Sequence, residues 1–414
     1  MAPQKGTLLS TTDFPLYAVR SLGDRHFLVA GGGGQAKTGV PNAVEIYELK
    51  LSDNKVLSAS LCRHDTGLQA VMNCDTFYDG RNHYLATGQD DECHTYSLKY
   101  KVVSPEKQPE SKEAKVRKRK GETENSSKEK SNDTKHITFD IEPMKHVTTD
   151  FAKDGSFQKV VRFGADHSIL ATGGADGFIR VWQYPDMKKV YEVKAHNSDI
   201  DDLDVSPCGK HIVTVSRDNT GSVWKAKEGK KVSDLVFKKQ PAEQYRYRCC
   251  RYGCIEGNKA KFNLYTLSIP SKRSSKPSPC YVTLWDPSTF KPKKHTSTGT
   301  DVSSSLAVSD DGIYLGVGTI SGSVSVYVSF SLQRLYHVKE AHSIFVTGVE
   351  FMPSSEGARA VTGGQDFTLL SISADNTIKI HQVAPRGSYS AAWLIVGTLA
   401  IIYVIFWLMS SFGI

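Results

Sequence analysis

The feature that most restricts the fold of this 414-residue chain is a weak internal repeat. The stretches 169–196 and 211–237 align, and each contains an Asp six residues before a Trp. The two pairs are Asp176 with Trp182 and Asp218 with Trp224, and the Trp residues are 42 positions apart. This period is typical of the four-stranded blade of a β-propeller, whose units stack because none can bury its apolar face alone.

The repeat continues in degenerate form through most of the chain. The six-residue step recurs from Asp90 to Tyr96 and from Asp375 to His381, Ser321 replaces the Asp before Tyr327, and Tyr47 and Trp285 end two more such strands. This gives seven predicted strand ends: Tyr47, Tyr96, Trp182, Trp224, Trp285, Tyr327 and His381. We therefore predict an all-β fold, a seven-bladed WD-repeat-like β-propeller within residues 1–386, with its repeats over roughly 5–384. Because Pro385 follows the last strand so closely, we expect residues 6–10 to complete the final blade and leave no exposed sheet edge.

Residues 101–135 interrupt the repeat with a strongly charged segment. It contains 11 Lys and Arg against 7 Asp and Glu, a net charge of +4. This is half of the net charge of +8 carried by the whole chain. A stretch so poor in apolar residues cannot bury enough surface to order itself, so we predict a disordered insertion. Its basic run at 116–120, VRKRK, could serve nuclear import or nucleic-acid binding, or could belong to a solvated loop.

The C-terminus is the most apolar part of the chain. Residues 387–414 carry no charge, and 391–409 reads AAWLIVGTLAIIYVIFWLM. About 20 apolar residues span a bilayer, so we predict a transmembrane helix at 391–409 and a short luminal tail at 410–414. Since the N-terminus has no apolar run typical of a signal peptide, we expect the propeller to be cytosolic. The alternative is a buried C-terminal core helix.

The polar residues of the repeat fit structural roles better than catalytic ones. An Asp in a tight turn accepts backbone N–H bonds. The repeat resembles WD repeats, which implies that a His before the blade completes a polar network, and His196 and His342 are at that place. The acidic cluster Asp199, Asp201, Asp202 and Asp204 is open to two interpretations, a solvated blade edge or a metal site, and we favour the first. None of the eight cysteines forms a C-x-x-C pair, which argues against a zinc ribbon.

Blade one departs from its siblings in a single loop. Ala30 precedes Tyr47 by 17 residues, whereas Ala171 precedes Trp182 by 11. The extra residues lie in GGGGQAKTGVPN, at 31–42, where four glycines allow backbone angles closed to other residues. Residues 31–38 approximate a phosphate-binding loop, but Ala36 replaces its last glycine and a strand, rather than a helix, is predicted to follow. We expect either a hairpin tip or, preferably, a protruding functional loop on a rigid scaffold.

Four segments resemble one known family over essentially the whole chain. They are FPLYAV at 14–19, AGGGGQAKTGVPN at 30–42, LATGGADGFIRVW at 170–182 and GTISGSVSVY at 318–327. The family is that of the endoplasmic-reticulum guanine-nucleotide exchange factors, including prolactin regulatory element-binding proteins, which act on the small GTPase that starts COPII coat assembly. The glycine-rich loop is its specific marker.

This resemblance implies an exchange factor that makes and breaks no bonds itself, with the GTPase and the endoplasmic-reticulum membrane as partners. It implies that the loop binds the GTPase and that a structural potassium ion holds the loop backbone. The GTPase-binding residues would be Lys37, Thr38, Val40, Pro41 and Asn42, with Asn42 most directly needed for exchange. The backbone of Gly31, Gly32, Gly33, Gly34 and Gly39 would hold the ion.

Two other functions remain open at this point. A DNA-binding transcriptional regulator, as the family name suggests, would use the basic run at 116–120 and the positive net charge. A membrane-anchored propeller scaffold would bind partners without promoting exchange, and its binding would be insensitive to changes in residues 31–42.

Overall fold

The computed structural model describes residues 6–36, 39–103, 136–237, 245–256, 258–272, 277–385 and 391–412. In these residues, strands β1 to β28 form seven four-stranded antiparallel sheets, each of which is one blade of a β-propeller. The predicted seven-bladed architecture is confirmed.

Strand β1 (Thr7–Thr11) precedes the first blade. Blade one consists of β2 (Leu16–Ser21), β3 (His26–Gly32), β4 (Asn42–Ser52) and β5 (Lys55–Asp65). Blade two consists of β6 (Val71–Tyr78), β7 (His83–Gln89), β8 (Glu92–Val103) and β9 (His136–Thr148). Blade three consists of β10 (Gln158–Phe163), β11 (Ile169–Gly174), β12 (Phe178–Gln183) and β13 (Lys188–Lys194).

Blade four consists of β14 (Ile200–Val205), β15 (His211–Ser216), β16 (Gly221–Lys225) and β17 (Lys231–Asp234). Blade five consists of β18 (Tyr245–Ile255), β19 (Asn258–Pro270), β20 (Cys280–Trp285) and β21 (Pro292–Gly299). Blade six consists of β22 (Ser303–Val308), β23 (Tyr314–Thr319), β24 (Val324–Val328) and β25 (Arg334–Val338). Blade seven combines β26 (Val346–Phe351), β27 (Phe367–Ser373) and β28 (Thr377–Val383) with β1.

The first strand of each blade lies innermost, and these seven strands form a ring around a central channel. Apolar side chains of adjacent blades pack between the sheets, as Phe27 and Val29 of β3 do against Leu370 and Ile372 of β27. Burial of each such side chain contributes about 1.5–3 kcal/mol. Every one of the seven predicted strand ends lies in the third strand of its blade, so the repeat was aligned correctly.

The ring closes where the two ends of the propeller meet. β1 pairs antiparallel with β28, with Thr7 opposite Ile380 and Thr11 opposite Thr377. The N-terminal strand therefore completes the last blade, as predicted for residues 6–10. This pairing covers the ladder groups of β28 that would otherwise form an exposed edge.

The antiparallel order of each blade defines two faces of the propeller. Turns between second and third strands, and links from one blade to the next, lie on one face, which we call the loop face. Turns between first and second strands and between third and fourth strands lie on the other, the exit face. β28 is a third strand and ends at Val383 on the exit face, and the β8–β9 connection leaves from that face too.

Polar networks inside the blades follow the prediction. His196 Nδ1 lies 3.3 Å from Asp218 Oδ2, and its Nε2 lies 2.8 Å from Thr214 Oγ1. Trp224 Nε1 donates to the same Thr214 oxygen at 2.9 Å. His342 contacts Asp375 and Ser371 in an equivalent way in blade seven. These residues link strands within a blade, so their role is structural.

The acidic cluster of blade four is not the solvated blade edge that we predicted. β14 is an innermost strand, and Asp201 and Asp202 are buried in the channel. Asp202 Oδ2 accepts from Arg251, and Arg20 of β2 pairs with both Asp75 and Glu350 at 3.2 Å. Alternation along a strand does not reveal which strand lies innermost, which is why the sequence analysis misplaced these residues.

In the part of the chain that the structure describes, two helices accompany the strands. Helix α1 (Glu356–Thr362), which the sequence analysis did not predict, lies between β26 and β27. Ser355 caps its N-terminus and Gly363, with φ of 83°, ends it. Helix α2 (Ala391–Phe412) covers the predicted transmembrane segment 391–409.

Two predictions about segments stay open. Among the described residues, no helix has both the length and the apolar character needed to cross a membrane. The transmembrane helix at 391–409 therefore remains a prediction. Residues 101–103 belong to β8 rather than to an insertion, and 104–135, including the basic run, lie outside the described residues.

Candidate functional site

The glycine-rich loop joins β3 to β4 on the loop face. Its glycines take backbone angles that residues with side chains rarely adopt: φ is 143° at Gly32, 71° at Gly34 and 78° at Gly39. Only glycine takes such angles without steric cost, so this part of the sequence specifies a particular loop path.

Space as well as backbone angle requires glycine at the base of the loop. A Cβ atom on Gly31 would lie 1.9 Å from the Pro15 carbonyl oxygen, and one on Gly32 would lie 2.1 Å from Asn42 Oδ1. The Gly32 N–H also donates to the Pro15 carbonyl at 3.0 Å. The link between β1 and β2 therefore packs directly against the first two glycines.

Asn42 holds the base of the loop in place. Its side-chain Oδ1 accepts from the Gly34 N–H at 2.8 Å, and its Nδ2 donates to the Gly67 carbonyl at 2.8 Å. Its own carbonyl accepts from the Thr66 N–H at 3.0 Å. Asn42 is only 4% exposed, so its amide serves the loop rather than a bound partner. It acts as a positioning residue in this structure.

Two neighbours support the loop from outside. The link between β5 and β6 supplies Gly67, whose N–H donates to Asp65 Oδ1 at 2.6 Å. Gln35 Nε2 donates to Asp90 Oδ2, in the β7–β8 turn of blade two, at 2.9 Å. Neither Gly67 nor Asp90 was predicted as part of the site, because they come from separate parts of the chain. Gly and Asp are common in turns, so the sequence around Gly67 and Asp90 does not indicate that they contact the glycine-rich loop.

The other predicted GTPase-binding residues differ in accessibility. Val40 is partly buried and packs against the core cluster that includes Phe14, and Pro41 is half-buried. Lys37 and Thr38 lie outside the described residues. The exposed described residues of the loop are Gln35, Ala36 and Gly39, at its tip. A partner would therefore meet the tip first, whereas Val40 and Asn42 hold the loop against the blade.

The donor atoms of the loop suit a monovalent cation. Residues 31–42 contain no Asp or Glu, so their oxygen atoms are backbone carbonyls, one hydroxyl and two side-chain amides. Neutral carbonyl oxygens are the donors used in potassium-selective sites. Gly31 and Gly32 pair with β4, whereas Gly33, Gly34 and Gly39 lie beyond the ladder. These oxygen atoms fit potassium. Gly33, Gly34 and Gly39 are the predicted ligands whose backbone is not engaged in the β3–β4 ladder.

The segment after the loop excludes a phosphate-binding loop of the Walker type. That motif places its glycines before a helix, whose N-terminal N–H groups bind the phosphates. Here residues 42–52 form strand β4. The sequence analysis predicted this strand correctly.

This chain is similar to several known proteins. A family model described as WD domain, G-beta repeat, matches residues 151–183 and 187–225. The guanine nucleotide-exchange factor SEC12 of Mus musculus is 40% identical over 95% of this chain and 94% of its own. The protein of the same name from Rattus norvegicus is 38% identical over 99% of both chains.

Among solved structures, the crystal structure of Raptor from Chaetomium thermophilum matches with a TM-score of 0.63. The match covers 94% of this chain and 29% of that one, at 15% identity. At this identity the likeness concerns the fold alone.

Proposed function

This chain belongs to the SEC12 guanine nucleotide-exchange factor family, and on that premise we propose that it promotes GDP release from a small GTPase. The more specific proposal is that this GTPase is the one that starts COPII coat assembly at the endoplasmic reticulum. The family resemblance of the loop sequence at 30–42 supports that choice of partner.

The observation that carries the proposal is the loop of blade one, with a fixed base and an exposed tip. Asn42 and Pro15 hold its base through hydrogen bonds, while Gln35 and Gly39 stay exposed. A loop ordered before binding loses less conformational entropy when it meets a partner. It can therefore contact the partner surface in one defined conformation.

Exchange requires a preference between two states of the GTPase. A protein that binds the nucleotide-free form more tightly than the GDP-bound form weakens GDP binding by the same factor. We infer that the tip presses on the switch segments of the GTPase, which depend on contacts with phosphate and Mg²⁺. No bond in the nucleotide is made or broken.

The direct test is GDP release from the purified GTPase, followed with a fluorescent GDP analogue, with the full-length chain in detergent micelles as catalyst. We expect acceleration that depends on the concentration of the chain. A folded chain that leaves the release rate at its intrinsic value would contradict the exchange proposal. Such a result would favour the scaffold function instead.

We propose further that a potassium ion bound by Gly33, Gly34 and Gly39 stabilises the loop. Bound potassium would supply a positive charge that orders several carbonyl oxygens. Hydrogen exchange of the loop amides in potassium and in sodium buffer tests this independently of activity. Greater protection of the Gly34 amide in potassium supports the ion, and equal protection in both buffers would refute it.

We also propose that α2 anchors the chain in the endoplasmic-reticulum membrane. Its large apolar side chains from Ile395 to Met409 are exposed, and residues 387–414 carry no charge. β28 ends on the exit face, so an anchored propeller would present its loop face toward the cytosol. Carbonate extraction of cell membranes tests the anchor: the full chain should stay in the pellet, and a chain ending at Pro385 should not.

A further inference from the structure

The central channel opens on the loop face into a wide depression. Its volume is about 580 Å³, within the range of about 300–1,000 Å³ typical of binding pockets. Its lining includes Arg246 and Arg248, at the start of β18, together with Ile320 and Phe345. We call this depression the channel mouth. The glycine-rich loop of blade one lies on the same face.

The two arginines that line the channel mouth, Arg246 and Arg248, belong to a charged cluster that extends beyond its lining. Asp201 is almost completely buried, and three arginines surround it: Arg246 at 2.6 Å, Arg217 at 3.1 Å and Arg248 at 3.8 Å. Asp199 pairs with Arg217 at 3.3 Å and with Lys159 at 3.4 Å. Four cations therefore share two carboxylates.

Arg248 is the least committed of these cations. Its distance of 3.8 Å from Asp201 exceeds a hydrogen bond, and its side chain is 35% exposed. The guanidinium group thus has N–H donors that can take another carboxylate in a bidentate arrangement. Asp201 would keep hydrogen bonds from Arg246 and Arg217 if Arg248 turned outward.

Two large hydrophobic residues of the channel mouth are accessible. Phe345 is 43% exposed and Ile320 is 39% exposed, although both are large hydrophobic residues. Phe345 lies in the link between β25 and β26, and its carbonyl accepts from Ser373 Oγ at 2.7 Å, which fixes the backbone below the ring. Aromatic residues and arginine are enriched in protein–protein interfaces, and both line this depression.

We propose that the channel mouth is a second contact site for the GTPase, with Arg248 binding an acidic side chain and Phe345 packing against an adjacent apolar one. This inference rests on the proposed exchange function. A rigid partner held by the blade-one loop would lie across the same face, over the channel. The site supplies affinity and orientation, whereas the loop acts on the switch segments.

The test compares dose curves of GDP release for the full-length wild type, Arg248→Glu and Phe345→Ala. We expect the concentration for half-maximal acceleration to rise about tenfold for each variant, with the maximal rate within about twofold of wild type. For Arg248→Glu, the salt dependence of acceleration should also become weaker, because an attractive charge has been removed.

Matched control variants lie on the exit face. Lys230→Glu makes the same change of charge on an exposed side chain, and Phe330→Ala removes a ring that is 73% exposed. Both should retain the wild-type dose curve. The urea midpoint of each variant establishes whether it is folded. Arg248→Ala serves as a second variant in case Arg248→Glu does not fold, because it places no new negative charge beside Asp201, which keeps its contacts with Arg217 and Arg246.

The outcomes separate the two proposals. Dose curves for Arg248→Glu and Phe345→Ala that coincide with an accelerating wild type would overturn the channel-mouth site alone. Equal shifts in the control variants would overturn it as well, because the effect would then not depend on the face. A wild type that fails to accelerate GDP release removes the exchange function and this site together.

Discussion

Asn42 illustrates how one residue can determine the path of a loop. The amide joins two backbone segments that are distant in the sequence: Gly34, 8 residues before Asn42, and Gly67, 25 residues after it. The resemblance to a family indicated that this residue matters for exchange. In the structure Asn42 is buried and bonded to the loop backbone, so the role we propose for it is to position the loop.

Replacement of Asn42 separates loop order from overall folding. We expect Asn42→Ala to reduce acceleration of GDP release at least tenfold and to lower the free energy of unfolding by about 1–3 kcal/mol, because the Gly34 N–H loses its acceptor. Release kinetics and urea unfolding measure the two effects. Asn42→Asp keeps the acceptor for Gly34 but loses the donor to Gly67. Its rate of GDP release should therefore lie between those of the wild type and Asn42→Ala. Wild-type rates in both variants would contradict the positioning role.

At the scale of the element, each blade depends on a polar link between its strands. In blade four, the Thr214 hydroxyl receives the Trp224 indole N–H and contacts His196, which in turn contacts Asp218. The sequence predicted the Asp and Trp positions through their spacing. It did not predict Thr214, because a Thr in a buried strand is common and gives no distinctive pattern.

Substitution of Thr214 tests the link in blade four. Thr214→Val keeps the shape of the side chain but leaves two buried polar groups, on Trp224 and His196, without their partner. We expect the free energy of unfolding to fall by about 2–4 kcal/mol. Thr214→Ser retains the hydroxyl and should lose about 1 kcal/mol for the missing methyl group. Urea unfolding compares the three proteins. Equal midpoints for Thr214→Val and the wild type would show that this polar link does not contribute to stability.

At the scale of the whole molecule, stability depends on closure of the ring. β1 is the fourth strand of blade seven, so residues near both ends of the propeller share one sheet. Arg20 of blade one and Glu350 of blade seven also meet across the closure, at 3.2 Å. Blades one and seven are therefore joined by a strand ladder and by an ion pair in the channel.

Removal of β1 should open the ring. We expect a chain without residues 1–11 to aggregate or to unfold at a clearly lower urea concentration, because β28 becomes an exposed edge strand. Deletion of residues 1–5 alone leaves Thr7–Thr11 whole and serves as the control. Size-exclusion chromatography and urea unfolding report the two outcomes. A monomeric shorter chain with an unchanged midpoint would show that closure does not depend on β1.

Buried histidines make the stability of the propeller depend on pH. Burial, aided by His26, lowers the pKa of His83 to about 4, and burial lowers the pKa of His381 to about 3. In the unfolded chain both groups titrate near pH 6.5. Between pH 6.5 and 4 the unfolded state therefore binds more protons. As the pH falls through this range, each of these groups lowers the free energy of unfolding by up to about 1.4 kcal/mol per pH unit.

His83→Phe isolates one of these groups. Its stability, measured by urea unfolding, should fall less steeply than that of the wild type between pH 6.5 and 4. Other buried groups are common to both proteins, so their contributions cancel in the comparison. Equal slopes would mean that His83 is not held neutral in the folded state.

The sequence by itself determined the number of blades, the strand that closes the ring and the place of the glycine-rich loop. These features depend on local spacing: an Asp six residues before an aromatic residue, or six extra residues in one turn, can be read without knowing any distant contact. Only the tertiary structure decided which charges meet in the channel, that Asn42 reaches Gly67, and that loop and C-terminal exit lie on opposite faces. The physical reason is that ring closure brings together residues from distant blades, such as Arg20 and Glu350, whose pairing leaves no periodic signal along the chain.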